Sequence, residues 1–205
     1  TDLSTINDPK RTLMGAAQEA WMFDQLRASQ RADTRWAILG QQVMLSTITL
    51  PGTRVTNTDA WDGYPGQRTR VLDVIEHEKI RNMIVLTGDA HSSWGFDVAR
   101  NPWNGYRATG EASLAVELVT PAISSPPPLT FSGPDGPEAA AAVRVAMPHL
   151  KYLDGARRGY VIVDLTPTLM RANWYFSPDV RVHSDAEVAG GALVCERGSA
   201  HLQSA

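Results

Sequence analysis

The stretch Val85-Leu86-Thr87-Gly88-Asp89-Ala90-His91-Ser92-Ser93-Trp94 decides how this 205-residue chain is read. Its first half continues from Met83 and Ile84 as an apolar run too short for a helix and rich in strand formers, which predicts a buried strand. The strand ends at Gly88, a residue that lets the backbone turn without a side chain in the way. A carboxylate, Asp89, and an imidazole, His91, follow two residues apart. In an extended segment such residues share a face, so the two side chains are expected to converge. Strand ends are also where α/β sheets place ligand sites. Carboxylate oxygen and imidazole nitrogen together suit a catalytic divalent or trivalent metal ion. The alternative is a loop in which Asp89 caps the next turn and His91 makes an ordinary hydrogen bond. Spacing alone leaves both readings open.

Outward from this stretch, helical and strand patterns alternate. Upstream, residues 15–29 carry Trp21, Met22 and Leu26 among polar residues at the spacing of an amphipathic helix. Trp36-Ala37-Ile38-Leu39 reads as a short buried strand running into Gln41 and Gln42. After a polar loop, Pro65 suits the first turn of a helix with an apolar stripe of Val71, Leu72, Ile75 and Ile80. Downstream, residues 114–119 predict another strand, Pro126-Pro127-Pro128 a rigid loop, and residues 138–146 an Ala-rich helix. Residues 160–165 and 169–176, joined by Thr166-Pro167-Thr168, predict a hairpin. The Gly- and Ala-rich tail, residues 188–205, reads as loose. The whole pattern predicts one α/β domain, a sandwich with mixed sheets and flanking helices.

Composition narrows the functional classes. The chain holds 19 Lys and Arg against 22 Asp and Glu, a net charge of -3 with no basic cluster, which argues against a nucleic-acid-binding surface. No apolar run approaches the length of a membrane-spanning helix. A single cysteine, Cys195, rules out an internal disulfide framework and a thiolate zinc site. The opening Thr1-Asp2-Leu3-Ser4 has neither the basic region nor the apolar core of a signal peptide, and reads as a cut or processed end. Targeting information is then expected upstream of it.

Several common signatures fail. Trp61 stands where a calcium loop running from Asn57 needs an oxygen ligand. His77-Glu78 has Arg81, not a second His, at zincin spacing. Neither Ser92 nor Ser93 has the flanking glycines of a nucleophile elbow.

The segment from Leu86 to Trp94 resembles a metal-binding motif of the PhoD-like alkaline phosphatases, members of the calcineurin-like metallophosphoesterases. Other blocks are similar to the same family in the same order. They are Ala37 to Met44, Asp59 to Pro65, Glu117 to Pro121, Pro148 to Tyr152, and Arg158-Gly159-Tyr160. The resemblance implies the second half of an αββα metallophosphatase sandwich, as the C-terminal portion of a catalytic domain spanning residues 1–205. It implies hydrolysis of phosphate esters, as an alkaline phosphatase or phosphodiesterase, by metal ions, iron and calcium, that activate water and hold phosphate oxygens. By the same resemblance Asp89 and His91 are metal ligands. The family's remaining ligands belong to motifs N-terminal to everything present here, so the site is expected to need an N-terminal segment of the same enzyme. Exposed apolar surface would otherwise be covered by a self-dimer. The family is bacterial, which implies a periplasmic or secreted location. A catalytically silent module that requires an N-terminal partner is the alternative.

The remaining candidates are more evenly balanced. His149 either bonds phosphate or orients a ligand, or is a structural histidine after a helix. Gln41 and Gln42 lie at a strand end, where they donate to phosphate oxygens or satisfy loop groups. Asp59, Asp62 and Tyr64 suit a pocket lining, although Asp62 also suits a cap for the helix at Pro65. Arg157 and Arg158 suit anion binding or a solvated turn. Trp94 is placed beside the substrate. Catalytic roles are therefore expected of His149 and Gln42, and substrate contacts of Asp62, Tyr64, Trp94 and Arg158.

Overall fold

In the computed structural model, which describes residues 5–55 and 57–205, three helices and nine strands alternate along the chain. They run α1 (Gly15–Arg31), β1 (Ala37–Gly40), α2 (Pro65–His77), β2 (Met83–Thr87), β3 (Ser93–Ala99) and β4 (Ser113–Val119). Then follow α3 (Gly136–Ala146), β5 (Leu150–Asp154), β6 (Gly159–Leu165), β7 (Leu169–Phe176), β8 (Val188–Glu196) and β9 (Gln203–Ser204). The opening residues Thr1 to Ser4, read above as a processed end, lie outside the described residues.

Alternation along β2 sets the layers. Met83 and Val85 pack with Met22 and Leu26 of α1 and Val71, Leu72 and Ile75 of α2. Ile84, between them, points the other way and packs with Met170, Ala172 and Trp174 of β7. The first sheet has the order β1-β2-β4-β3-β5, parallel from β1 through β4 and antiparallel beyond. The second is an antiparallel meander, β6-β7-β8-β9. α3 covers Trp94, Phe96 and Leu153 on the helical face of the first sheet. The architecture is thus the expected α/β sandwich with mixed strands. Within the described residues, however, all three helices lie on one side, and the outer face of the second sheet carries side chains such as Tyr160 and Ile162 instead of a helix.

Two local expectations are corrected. The segment from Val188, read as a loose tail, forms β8 and β9 and closes the second sheet, with Leu193, Cys195 and Leu202 buried. Its glycines signal close packing: a β-carbon on Gly190 would collide with the Phe176 ring, and one on Gly191 with the Tyr152 ring. In α1 the buried stripe is Met22 and Leu26, while Trp21 is exposed.

The C-terminal segment is tied to the first sheet by one buried carboxylate. Asp97 of β3, without accessible surface, accepts hydrogen bonds from the Leu202 amide at 2.8 Å, Tyr106 Oη at 2.8 Å and His201 Nδ1 at 2.6 Å. Burial, reinforced by that carboxylate, pushes the Tyr106 phenol well above its ordinary pKa.

Candidate active site

β2 delivers the chain to a tight bend at residues 88–92, from which β3 returns. The extended geometry expected there is not what forms. Asp89 and His91 both adopt the left-handed conformation, with φ of 66° and 52°. Gly88 is not in that region, and a methyl group on it would sit 3.9 Å from the Gln42 carbonyl, an ordinary contact. The turn is therefore taken by the two functional candidates themselves. Left-handed backbone is sparsely populated by non-glycine residues and costs on the order of 1 kcal/mol each, a kind of strain that gathers at functional sites.

Both side chains are exposed at this bend. The Asp89 carboxylate has no hydrogen-bond or ion-pair partner among the described residues, so it caps no turn. His91 donates Nδ1–H to the Pro126 carbonyl at 3.1 Å. A carbonyl only accepts, so in the neutral ring Nε2 keeps its lone pair and faces away from that bond. A free carboxylate and an imidazole whose other nitrogen is held by a carbonyl are the ligand types that bind iron, zinc or manganese. These two residues fit part of a metal centre. Among the described residues no group of three or more His, Cys, Asp or Glu is arranged to hold an ion by itself.

The loop after β4 holds two candidates at once. Adjacent carbonyls accept from His91 at Pro126 and from Arg158 Nε at Ser125, the latter at 3.2 Å. Gln42 is exposed at the end of β1 beside Gly88. Parallel strands β1 and β2 thus bring Gln42, Asp89 and His91 to one end of the sheet, where the loop after β4 also holds Arg158. Gln41 is structural: its Oε1 accepts from Trp61 Nε1 at 2.7 Å, and its amide nitrogen approaches Thr87 Oγ1 at 3.4 Å.

The bend is braced from beneath. Trp94 Nε1 donates to Ser92 Oγ at 2.7 Å, and Ser92 Oγ donates to the Ala90 carbonyl at 2.8 Å. Trp94 is 5% exposed and its ring stacks on Phe96. Sequence reasoning places Trp94 against substrate; the structure corrects this, because the ring lies in the core and acts on the bend through Ser92. Sequence reasoning does not single out Glu117. It is fully buried and accepts from the Leu45 amide at 2.8 Å, the Ser46 amide at 2.7 Å and Thr87 Oγ1 at 2.7 Å. It ties the loop after β1 to the ends of β2 and β4. A lone acid inside the apolar run Leu114 to Val119 is the signal that points to it.

Other candidates are not brought to the bend. Asp62 is buried, and its Oδ2 accepts from the Ile48 and Thr49 amides at 3.0 and 2.9 Å and from Thr49 Oγ1 at 2.7 Å. It anchors a loop, away from the bend, and does not cap α2. The Tyr64 ring is covered by the Arg11 guanidinium, 4.4 Å from its centroid. Arg157 pairs with Asp154 at 2.7 Å and lies over Phe176. Asp59 is exposed on the loop before α2.

His149 is corrected most sharply. It has no accessible surface, stacks on Phe96, and meets the edges of Trp103 and Tyr106. Its Nε2–H donates to the Thr47 carbonyl at 3.0 Å, while Nδ1 is buried without a partner. Burial lowers its pKa from 6.5 to about 4, with the nearby Arg68 pushing in the same direction and the Thr47 bond opposing. A ring so enclosed cannot touch a substrate.

Comparison with known proteins identifies the family. The family model described as PhoD-like phosphatase matches residues 1–174. Alkaline phosphatase D of Bacillus subtilis (strain 168) is 31% identical over 175 residues, which cover 84% of this chain and 28% of that protein. The chain belongs to the PhoD-like phosphatase family.

A solved structure titled "Structure of PhoD" superposes with a TM-score of 0.82 at 27% identity, covering 97% of this chain and 36% of the other. This PhoD-like chain therefore spans about a third of the length of the relatives it matches. The structural match reaches beyond the family-model range into β8, consistent with its place in the sandwich.

Proposed function

We propose that this chain is the C-terminal portion of a metal-dependent phosphate-ester hydrolase, an alkaline phosphatase or phosphodiesterase of the PhoD-like kind. Asp89 and His91 are two of its metal ligands. The observation that carries this reading is the strained bend, where a free carboxylate and an imidazole oriented by Pro126 share the end of β2. Iron and calcium are the ions proposed, by family. When bound, such ions offset charge on the phosphoryl oxygens and make water a better nucleophile at neutral pH. Arg158 and Gln42 stand at the same edge and supply hydrogen-bond donors for phosphate oxygens. Glu117, Ser92 and Trp94 hold the bend in place.

The rest of the site is proposed to come from an N-terminal segment of the same enzyme. The inner face of the sandwich supports this, because its cover runs out toward β1 and β6. Ile84 is fully buried, Leu86 only partly, and Ile38 on the same face is 53% exposed. A cavity of about 460 Å³ between the sheets is walled by Leu86, Leu118, Val161 and Val163. Strands β1 and β6 are both sheet edges, which proteins seldom leave bare. A self-dimer is the other occupant, and a bacterial periplasmic or secreted setting is proposed with the family.

One observation favours a second reading, a module that is silent unaided: no third ligand accompanies Asp89 and His91 among the described residues. Assay of p-nitrophenyl phosphate with iron and calcium, with and without an upstream segment, separates the two. Turnover only with the segment is the expected outcome. No turnover in the combined protein would contradict the hydrolase reading, and turnover by the chain alone would contradict the need for further ligands.

A further inference from the structure

A cavity of about 650 Å³ opens beside the Asp89–His91 bend, within the roughly 300–1,000 Å³ range of small-molecule sites. Pro126 links the two, since its carbonyl holds His91 and the residue itself lines the cavity. Arg158 also lines it, held by Ser125 through Nε alone. A second guanidinium in the wall, Arg144 near the end of α3, donates one Nη to the Leu153 carbonyl. Among the described residues neither arginine has a carboxylate partner. The wall's own carboxylate, Asp154, is already taken by Arg157. Phe131, Pro137 and Leu153 make the remaining surface largely apolar.

We propose that this cavity is the subsite for the organic group of the ester, and that it selects an organic group bearing a second negative charge. The inference rests on the phosphate end lying at the Asp89–His91 bend. An apolar slot receives the body of such a group, Arg158 at the mouth stays with the phosphate, and the Arg144 guanidinium, without a carboxylate partner among the described residues, meets the second anion. A neutral organic group would fill the slot and leave Arg144 with the Leu153 carbonyl and no anion.

The test compares 4-carboxyphenyl phosphate with phenyl phosphate, using the chain combined with its upstream segment and loaded with iron and calcium. A charged hydrogen bond of this kind is expected to give the carboxylated ester about a tenfold higher kcat/KM. That preference should fall to about twofold or less in Arg144→Gln, by the same reasoning, and persist in Arg107→Gln. Equal kcat/KM for both esters in the wild type, or an undiminished preference in Arg144→Gln, would overturn the proposal. If neither ester turns over, the hydrolase reading fails and the cavity is tested separately. Saturable binding of 4-hydroxybenzoate to the 205-residue chain, followed by the Arg144 side-chain NMR signal and lost in Arg144→Gln, would support the subsite. The absence of any such shift would overturn it.

Discussion

His91 donates its Nδ1–H to the Pro126 carbonyl at 3.1 Å, so the loop that follows β4 sets the tautomer of a side chain at the end of β2. The prolines contribute rigidity: the ring of Pro126 fixes its φ, and the following Pro127 restricts its ψ, which limits how far that carbonyl can swing. Its neighbour Ser125 holds Arg158 in the same way. One short loop thus aligns an imidazole and a guanidinium at a single sheet edge.

The left-handed backbone at Asp89 and His91 makes a prediction about stability that runs against activity. Glycine adopts this conformation without strain, although it loses more entropy on folding. Asp89→Gly is expected to stabilise the fold by about 0.5–1 kcal/mol, and His91→Gly, which also loses the bond to Pro126, by less, while both abolish turnover in the combined enzyme. Urea unfolding of the two variants checks the sign. Destabilisation of both would mean that these side chains support the fold, not a ligand.

Trp94→Phe keeps an aromatic ring in the stack but removes the indole N–H that Ser92 accepts, along with part of the buried ring. A loss of about 1 kcal/mol in stability is expected from that bond, with a several-fold fall in turnover as the bend loosens. A variant matching the wild type in both would remove Trp94 from the bracing role.

His149 gives the protein an acid-sensitive point. Its pKa lies near 4 in the folded state against about 6.5 unfolded, so the unfolded chain binds the extra proton between those values. The stability that this difference represents is complete above pH 6.5 and declines as pH falls toward 4, by about 3 kcal/mol across the window. Urea midpoints between pH 7.5 and 4.5 measure it, and His149→Gln should flatten the slope. An unchanged slope in that variant would assign the acid sensitivity elsewhere.

Removal of residues 188–205 tests the corrected reading of the C-terminal segment. β7 would lose one of its two partners, and Met170, Ala172 and Trp174 part of their cover. Loss of cooperative unfolding is expected, followed by circular dichroism in urea. A shortened chain with the full-length midpoint would show the segment to be dispensable.

Legibility in the sequence followed the physics of each element. β2 and its bend stood out because four apolar residues and Thr87 run into a Gly-Asp pair at one point. The α2 start was legible from Pro65, and the β6–β7 hairpin from Thr166-Pro167-Thr168. β3 was obscured because it is buried on both faces, so Trp94, Phe96 and Asp97 show no polar alternation. β8 was obscured because Gly190 and Gly191 look like flexible residues, although they make room for aromatic rings. The site was legible in its ligand types and not in its supports. Glu117, Ser92 and Pro126 matter through contacts across 30, 2 and 35 positions, and only the shortest of these is local in the chain. His149 and Asp62 misled for a related reason: polar residues near motif blocks can be satisfied inward, and both are.

The most direct measurement is anomalous X-ray scattering from crystals of the combined enzyme grown with iron. The expected result is an ion within about 2.0–2.4 Å of both His91 Nε2 and an Asp89 carboxylate oxygen, with the Nδ1 bond to Pro126 kept. An ion bound elsewhere, with these two side chains turned away from it, would contradict the assignment.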